Sequence, residues 1–277
     1  MINFIEKILS YIKTKRQIRE KVTNHTVLLA DYPRCGIGWI RYMLATALHY
    51  NATGMLKKLS NSEMYVYAPT LAALDEKLKP YYYKEDYYLL KTHHKYYDNF
   101  RKAIIIYRDP YPTIKSYYTH ILMESGRVPV RCTENITLEE TFLVVEMKKY
   151  IRIYETWSKQ VKKNPKSFFL VRYNDLLHYT KELFEKMLVF LEIDYNNLKQ
   201  AGHLSDIINM YKKTDISVPR FNKQPPEEAF REKEEIFKKI EKVMTEKTLK
   251  KIAPQLVERV DELFTEMELM KVKKGEK

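Results

Sequence analysis

Four short apolar or β-branched runs, each bounded by polar or turn residues, recur along the chain: Thr26–Ala30, Tyr87–Leu90, Ala103–Tyr107 and Phe168–Val171. Continuous runs of this length predict strands buried on both faces. Between them the apolar residues return at helical spacing. Ile37–Tyr50 follows the first run and Pro112–Met123 the third, while Leu138–Val161 precedes the fourth and Thr180–Leu191 follows it. The long third helix opens on Thr137 and Glu140, the spacing at which two side chains cap each other's backbone N–H groups. Strands alternating with helices imply right-handed crossovers, hence an α/β fold with a mainly parallel central sheet between helical layers.

The pattern changes after Pro225-Pro226. Glu227–Met244 is a charged helix with Phe230, Phe237, Ile240 and Met244 on one stripe, and Pro254 separates it from a final helix over Gln255–Met270. These read as extra C-terminal helices (225–277) packed on a single domain spanning 1–277. At the other end, residues 1–22 place Ile2, Ile5, Leu9 and Ile12 at helical spacing among Lys7, Lys13, Lys15 and Arg16. An amphipathic helix of this kind fits a peripheral membrane contact, and fits packing on the domain more simply. No apolar run approaches a membrane span and no signal-peptide order is present, so a cytoplasmic protein, with membrane association through that helix as the variant, is the expectation.

Composition narrows the chemistry. The chain has 277 residues, 45% hydrophobic and 31% charged, which is a globular balance long enough for a sizeable core. Its two cysteines, Cys35 and Cys132, lie far apart without CxxC spacing, which excludes a disulfide scaffold and a zinc ribbon and points to a reducing compartment. The 49 Lys and Arg exceed the 36 Asp and Glu by 13, favouring an anionic ligand, nucleic acid or an anionic surface. Only 6 glycines occur, yet Gly36 and Gly38 stand two apart, which asks for a backbone reason.

In an open parallel sheet, ligands bind beyond the carboxyl ends of the strands. After the first strand comes Tyr32-Pro33-Arg34-Cys35-Gly36-Ile37-Gly38-Trp39, then a helix; after the second, Lys91-Thr92-His93-His94. After the third comes Arg108-Asp109-Pro110 with Ser116 two helical turns on, and after the fourth Arg172-Tyr173-Asn174-Asp175. Cations, a histidine and an aromatic ring thus gather on one rim. A glycine loop opening a helix presents unpaired N–H groups to an anion. No GxxxxGK[ST] occurs, and that argues against an ordinary ATP kinase.

The run Tyr32–Trp39 resembles the phosphosulfate loop of the sulfotransferases that use 3′-phosphoadenosine 5′-phosphosulfate (PAPS). Lys91-Thr92-His93 is similar to that family's KTH, Tyr107-Arg108-Asp109-Pro110 with Ser116-Tyr117-Tyr118 to its YRxP…SYY, and Arg172-Tyr173-Asn174-Asp175-Leu176-Leu177 to its RYEDLL. The motifs stand in the family's order. The resemblance implies a three-layer α/β/α, P-loop NTPase-like fold. It implies PAPS as donor, PAP (3′,5′-ADP) as product, no metal, and in-line transfer to an acceptor hydroxyl of a carbohydrate, lipid, small alcohol or phenol. It further implies His93 as general base, Lys91 on the transferring group and Arg34 on the bridging phosphate oxygen. The backbone of Cys35, Gly36, Ile37 and Gly38 would hold the 5′-phosphosulfate. Trp39 and Tyr173 would line the adenine site, with Arg108 and Ser116 on the 3′-phosphate.

Departures are visible. Cys35 replaces the family's loop serine, and Ile37 and Gly38 replace its hydroxyl pair. The C-terminal RKGxxGDW lid is missing, with Arg220, Lys223 or the following helices as substitutes. The Tyr81–Tyr88 cluster is a candidate lining of the acceptor pocket. Two other readings stand beside the enzyme: a protein of the same fold that binds a nucleotide or anion without turnover, and a nucleic-acid binder, which the absence of any recognition motif disfavours.

Overall fold

The four runs form one parallel sheet in a computed structural model that describes residues 22–74, 79–84, 86–94, 99–130, 135–211 and 226–275. The proposed N-terminal helix, Cys132, Arg220 and Lys223 lie outside the described residues. The strands are β1 (Thr26–Asp31), β2 (Tyr88–Thr92), β3 (Lys102–Tyr107) and β4 (Phe168–Arg172), in the order β2-β1-β3-β4. Every residue of β1 is buried, so both faces of the central strand are covered. The helices are α1 (Ile37–Thr53), α2 (Asn61–Tyr67), α3 (Pro110–Ser125), α4 (Leu138–Lys163), α5 (Tyr173–His178), α6 (Thr180–Leu191), α7 (Asn196–Gln200), α8 (His203–Met210), α9 (Pro226–Glu241), α10 (Glu246–Ile252) and α11 (Pro254–Gly275). Among the described residues, no helix is long and apolar enough to cross a membrane.

From β1 the chain passes to β2 on one side, then crosses to β3 on the other. This reversal opens a crevice beyond the carboxyl ends of β1 and β3. Register keeps those ends together: Asp31 lies beside Ile106, Ala30 beside Thr92, and Tyr107 beside Arg172. The helices start where local chemistry allows. Asp109 caps α3, accepting from the Tyr111 amide at 2.9 Å with Pro110 at the first helical position. Thr137 and Glu140 form the expected capping box on α4.

The C-terminal helix predicted over Glu227–Met244 ends three residues early, and a short unpredicted helix follows it. α9 stops at Glu241, and α10 restarts from Thr245, whose hydroxyl accepts from the Thr248 amide at 3.1 Å. α11 lies against α4 and the end of β4. Arg259 pairs with Glu155 at 2.5 Å, Ser158 donates to Glu266 at 2.6 Å, and Glu268 accepts from Tyr107 at 3.0 Å while pairing with Arg172 at 3.3 Å.

One buried hydroxyl ties α4 to the loop after β1. Tyr154 Oη accepts from the Tyr32 amide at 3.0 Å and donates to the Ile106 carbonyl at 2.5 Å. Tyr154→Phe leaves both groups buried without that partner. The expected cost is about 1–3 kcal/mol, seen as a lower denaturant midpoint at unchanged m-value.

Candidate active site

Residues from all four strand ends line one cavity of about 580 Å³ at the carboxyl edge of the sheet. β1 and its loop contribute Asp31, Arg34, Gly36, Ile37, Gly38 and Trp39, and the end of β2 contributes Lys91 and His93. Beyond β3 come Arg108 and Ser116, and beyond β4 comes Tyr173. The convergence expected from the sequence is therefore present in the fold.

The loop after β1 is built around two left-handed residues, Arg34 (φ 73°) and Gly36 (φ 109°). For an arginine this conformation costs about 1–3 kcal/mol, and such strain concentrates at functional sites. Gly36 is required twice over, because a Cβ there would lie 2.7 and 2.8 Å from two carbons of the Tyr173 ring. Gly36 is also the N-cap of α1. It supplies no side-chain cap and no acidic residue occupies the first turn; the Asp31 carboxylate accepts from the Ile37 amide at 3.4 Å, and the glycine N-cap leaves this end of α1 open to the cavity. The same Tyr173 ring carries the Arg108 guanidinium on its face, 4.3 Å from the centroid.

Arg108 Nη1 donates to the Arg34 carbonyl at 3.3 Å, and Arg34 Nε donates to Ser116 Oγ at 3.3 Å. Two arginines and a hydroxyl thus form one connected group. Burial, and then the neighbouring Arg108, lower the affinity of the Arg34 side chain for its proton. Lys91 is also pulled below its ordinary value, first by burial, with Asp31 opposing the shift and Arg41 and Arg34 adding to it. Cations crowded against one another in a half-closed cavity are a receptor for a multiply charged anion.

His93 sits at the opposite side of the β1 end. Its Nδ1 lies 2.7 Å from Asp31 Oδ1 and 3.3 Å from the Asp31 carbonyl oxygen. The ring is 36% exposed, whereas the Asp31 side chain is fully buried.

Cys35 alone among the expected loop residues turns its side chain away. It is fully buried, Tyr154 Oη approaches its sulfur at 3.4 Å, and its amide donates to the Tyr32 carbonyl at 3.2 Å. Burial, reinforced by Asp31, pushes its thiol well above the ordinary range. The tyrosine cluster is also elsewhere. Tyr81, Tyr82 and Tyr83 line a separate hollow with Glu192 and Tyr195, and Tyr87 and Tyr88 are buried.

Several lining residues were not anticipated. His120 and Glu124 follow Ser116 at helical spacing on α3 and lie 3.4 Å apart, so periodicity alone could have found them. Burial, and then Arg34, hold the His120 imidazole below its usual value while Glu124 opposes them. Lys233 and Phe237, one turn apart on α9, close the cavity from above α3, with Lys115 over the Phe237 ring at 5.8 Å. Nothing local announces which helix docks there. Asp31 had a signal: it is the carboxylate at the end of an otherwise apolar strand.

The family model described as "Sulfotransferase domain" matches residues 24–274. Among solved structures, the chain is similar to the crystal structure of mouse sulfotransferase SULT7A1 complexed with PAP. The TM-score is 0.52 at 16% identity, covering 91% of this chain and 87% of that one. A second match is the sulfotransferase domain of the Synechococcus PCC 7002 olefin synthase, with TM-score 0.41 and 14% identity over 79% of this chain and 95% of that one. No curated protein matches by sequence. The first likeness concerns the fold; it agrees with the parallel α/β sheet expected from the strand-helix alternation and with the P-loop-like architecture that the resemblance implied. With the family model spanning the sheet, the cavity and the C-terminal helices, the chain belongs to the sulfotransferase domain family.

Proposed function

We propose that the cavity binds PAPS and that the chain transfers its sulfuryl group to an acceptor hydroxyl. One observation carries this reading: the glycine-opened amino end of α1, Arg34, Arg108 and Ser116 converge on a cavity that also contains an oriented histidine. A donor with phosphates at both the 5′ and 3′ positions needs two anion sites. The α1 end with Arg34 supplies one, and Arg108 with Ser116 supplies the other. Trp39 lines the same cavity, and among the described residues its buried Nε1 has no protein partner. A flat heteroaromatic base with acceptor nitrogens suits that position.

Bound PAPS supplies an activated sulfuryl group whose S–O bond to phosphate is the one that breaks. His93 takes the proton from the acceptor hydroxyl as its oxygen attacks sulfur, and the electron pair of the broken bond leaves on the phosphate of PAP. Arg34 and Lys91 face the oxygens on which charge develops, positioned before the reaction and shielded from water. The acceptor is a hydroxyl-bearing molecule of the carbohydrate, lipid, alcohol or phenol classes. Incubation with PAPS labelled in the sulfuryl group and a panel of these acceptors tests the reading: label must reach an acceptor, with PAP formed in equal amount. Retained nucleotide binding without transfer would favour the non-catalytic reading, which the loss of loop hydroxyls at Ile37 and Gly38 supports.

The missing C-terminal lid has a substitute in α9. Lys233→Ala is expected to weaken PAP binding about three- to tenfold in calorimetric titration, as befits a cation partly exposed to water. An unchanged dissociation constant would remove α9 from the nucleotide site.

A further inference from the structure

We propose that Asp31 is a positioning residue that fixes the tautomer and orientation of His93, an inference that rests on the reading of His93 as base. His93 Nδ1 hydrogen-bonds the Asp31 main-chain carbonyl at 3.3 Å, and the buried carboxylate Oδ1, which has no hydrogen-bond partner among the described residues, lies 2.7 Å from the same nitrogen. A carbonyl oxygen can only accept, so the bond to it makes Nδ1 the protonated ring nitrogen. In the neutral imidazole the lone pair then lies on Nε2, for which no protein partner exists among the described residues. A general base needs that free lone pair.

The carboxylate is itself fixed. Its other oxygen, Oδ2, accepts from the Ile37 amide at 3.4 Å, and the side chain is closed off from solvent. Arg34 and Lys91 are the neighbouring cations, and Cys35 is buried nearby with its thiol held above the ordinary range. A buried carboxylate touching both the imidazole and the first turn of α1 registers the base against the anion-binding loop. As the acceptor proton arrives on Nε2, the same carboxylate stabilises the imidazolium, and no proton need pass to Asp31.

Asp31→Asn separates this role from a structural one. The Ile37 amide requires an oxygen, so the carboxamide nitrogen of the substituted side chain would face His93 and donate to Nδ1, shifting the hydrogen to Nε2. Histidine-selective ¹⁵N NMR, with His93 assigned by the signal lost in His93→Gln, reads this without substrate. The protein itself should show unprotonated Nε2, and Asp31→Asn should populate protonated Nε2. Protonated Nε2 in the unaltered protein overturns the proposal, whether or not any acceptor has been found.

Turnover gives the second readout. Asp31→Asn should lower kcat on the order of 10- to 100-fold, with the dissociation constant for PAP changed less than about threefold. The double variant with His93→Ala should lose no more than His93→Ala alone. Multiplicative losses, or an equal fall in PAP affinity, would place Asp31 on the cation cluster or in the fold instead. Absence of activity in the unaltered protein would strike the functional reading, and the NMR result would still decide the role of Asp31.

Discussion

His93→Ala is expected to lower kcat by about 10²- to 10⁴-fold, the usual range for loss of a positioned general base. PAP affinity should stay within about twofold, because His93 stands apart from the Arg34–Ser116–Arg108 group that would grip the phosphates. The variant should fold: the ring is partly exposed, and Asp31 keeps Arg34 and Lys91 as facing cations. Single-turnover transfer at saturating PAPS, with PAP titration alongside, measures both quantities. If turnover survives within a few-fold, His93 is not the base. His120 is then the next imidazole in the cavity to examine.

The second large effect is on the backbone. Gly36→Ala should cost about 2–4 kcal/mol, lowering the melting temperature by roughly 4–16 °C for a chain of this size. Two terms add. A left-handed residue without glycine's freedom is strained, and the new methyl carbon would lie 2.7 Å from an aromatic carbon of Tyr173. Gly202 provides the control, since it has φ +75° and nothing within 4 Å of its Cβ position. Gly202→Ala should therefore show the strain alone, about 1 kcal/mol. The difference between the two variants measures the ring contact. Because Tyr173 also supports Arg108, Gly36→Ala should weaken PAP binding as well; a variant as stable as Gly202→Ala with full affinity would mean the ring moves freely aside.

Much of the fold was legible because the strands are buried on both faces. An unbroken run such as Ala103–Tyr107 has no polar position to confuse its reading, and all five residues are buried. Capping chemistry marked the start of α4 within one residue. Short elements were missed for the converse reason. α2 has 7 residues and its own Ser60–Glu63 capping box, but too few turns to display a period. α5 begins directly at the end of β4, so Tyr173, placed only as following the fourth strand, is the first residue of a helix.

The site was legible where the chain itself supplies the geometry. A strand end followed by a glycine turn must face the crevice, so Arg34 and Gly36–Trp39 were found with Arg108 and His93. Cys35 turned inward because the two left-handed residues flanking it reverse the chain there, a detail that residue type does not encode. Lys233 and Phe237 reach the cavity through tertiary docking of α9 on α3, which no local pattern specifies. Asp31 passed unnoticed as a strand terminus, although a carboxylate closing an apolar strand is costly to bury without a purpose.

Whether the cavity reads the 3′-phosphate is decided by a thermal-shift titration comparing 3′,5′-ADP with 5′-ADP. At a hundred times its dissociation constant, a ligand of the folded state adds about 2.7 kcal/mol of stability. That shift is expected for 3′,5′-ADP, with a much smaller one for 5′-ADP and loss of the difference in Arg108→Ala. Equal shifts from the two nucleotides, or none at millimolar concentration, would contradict a cavity built to read the 3′-phosphate.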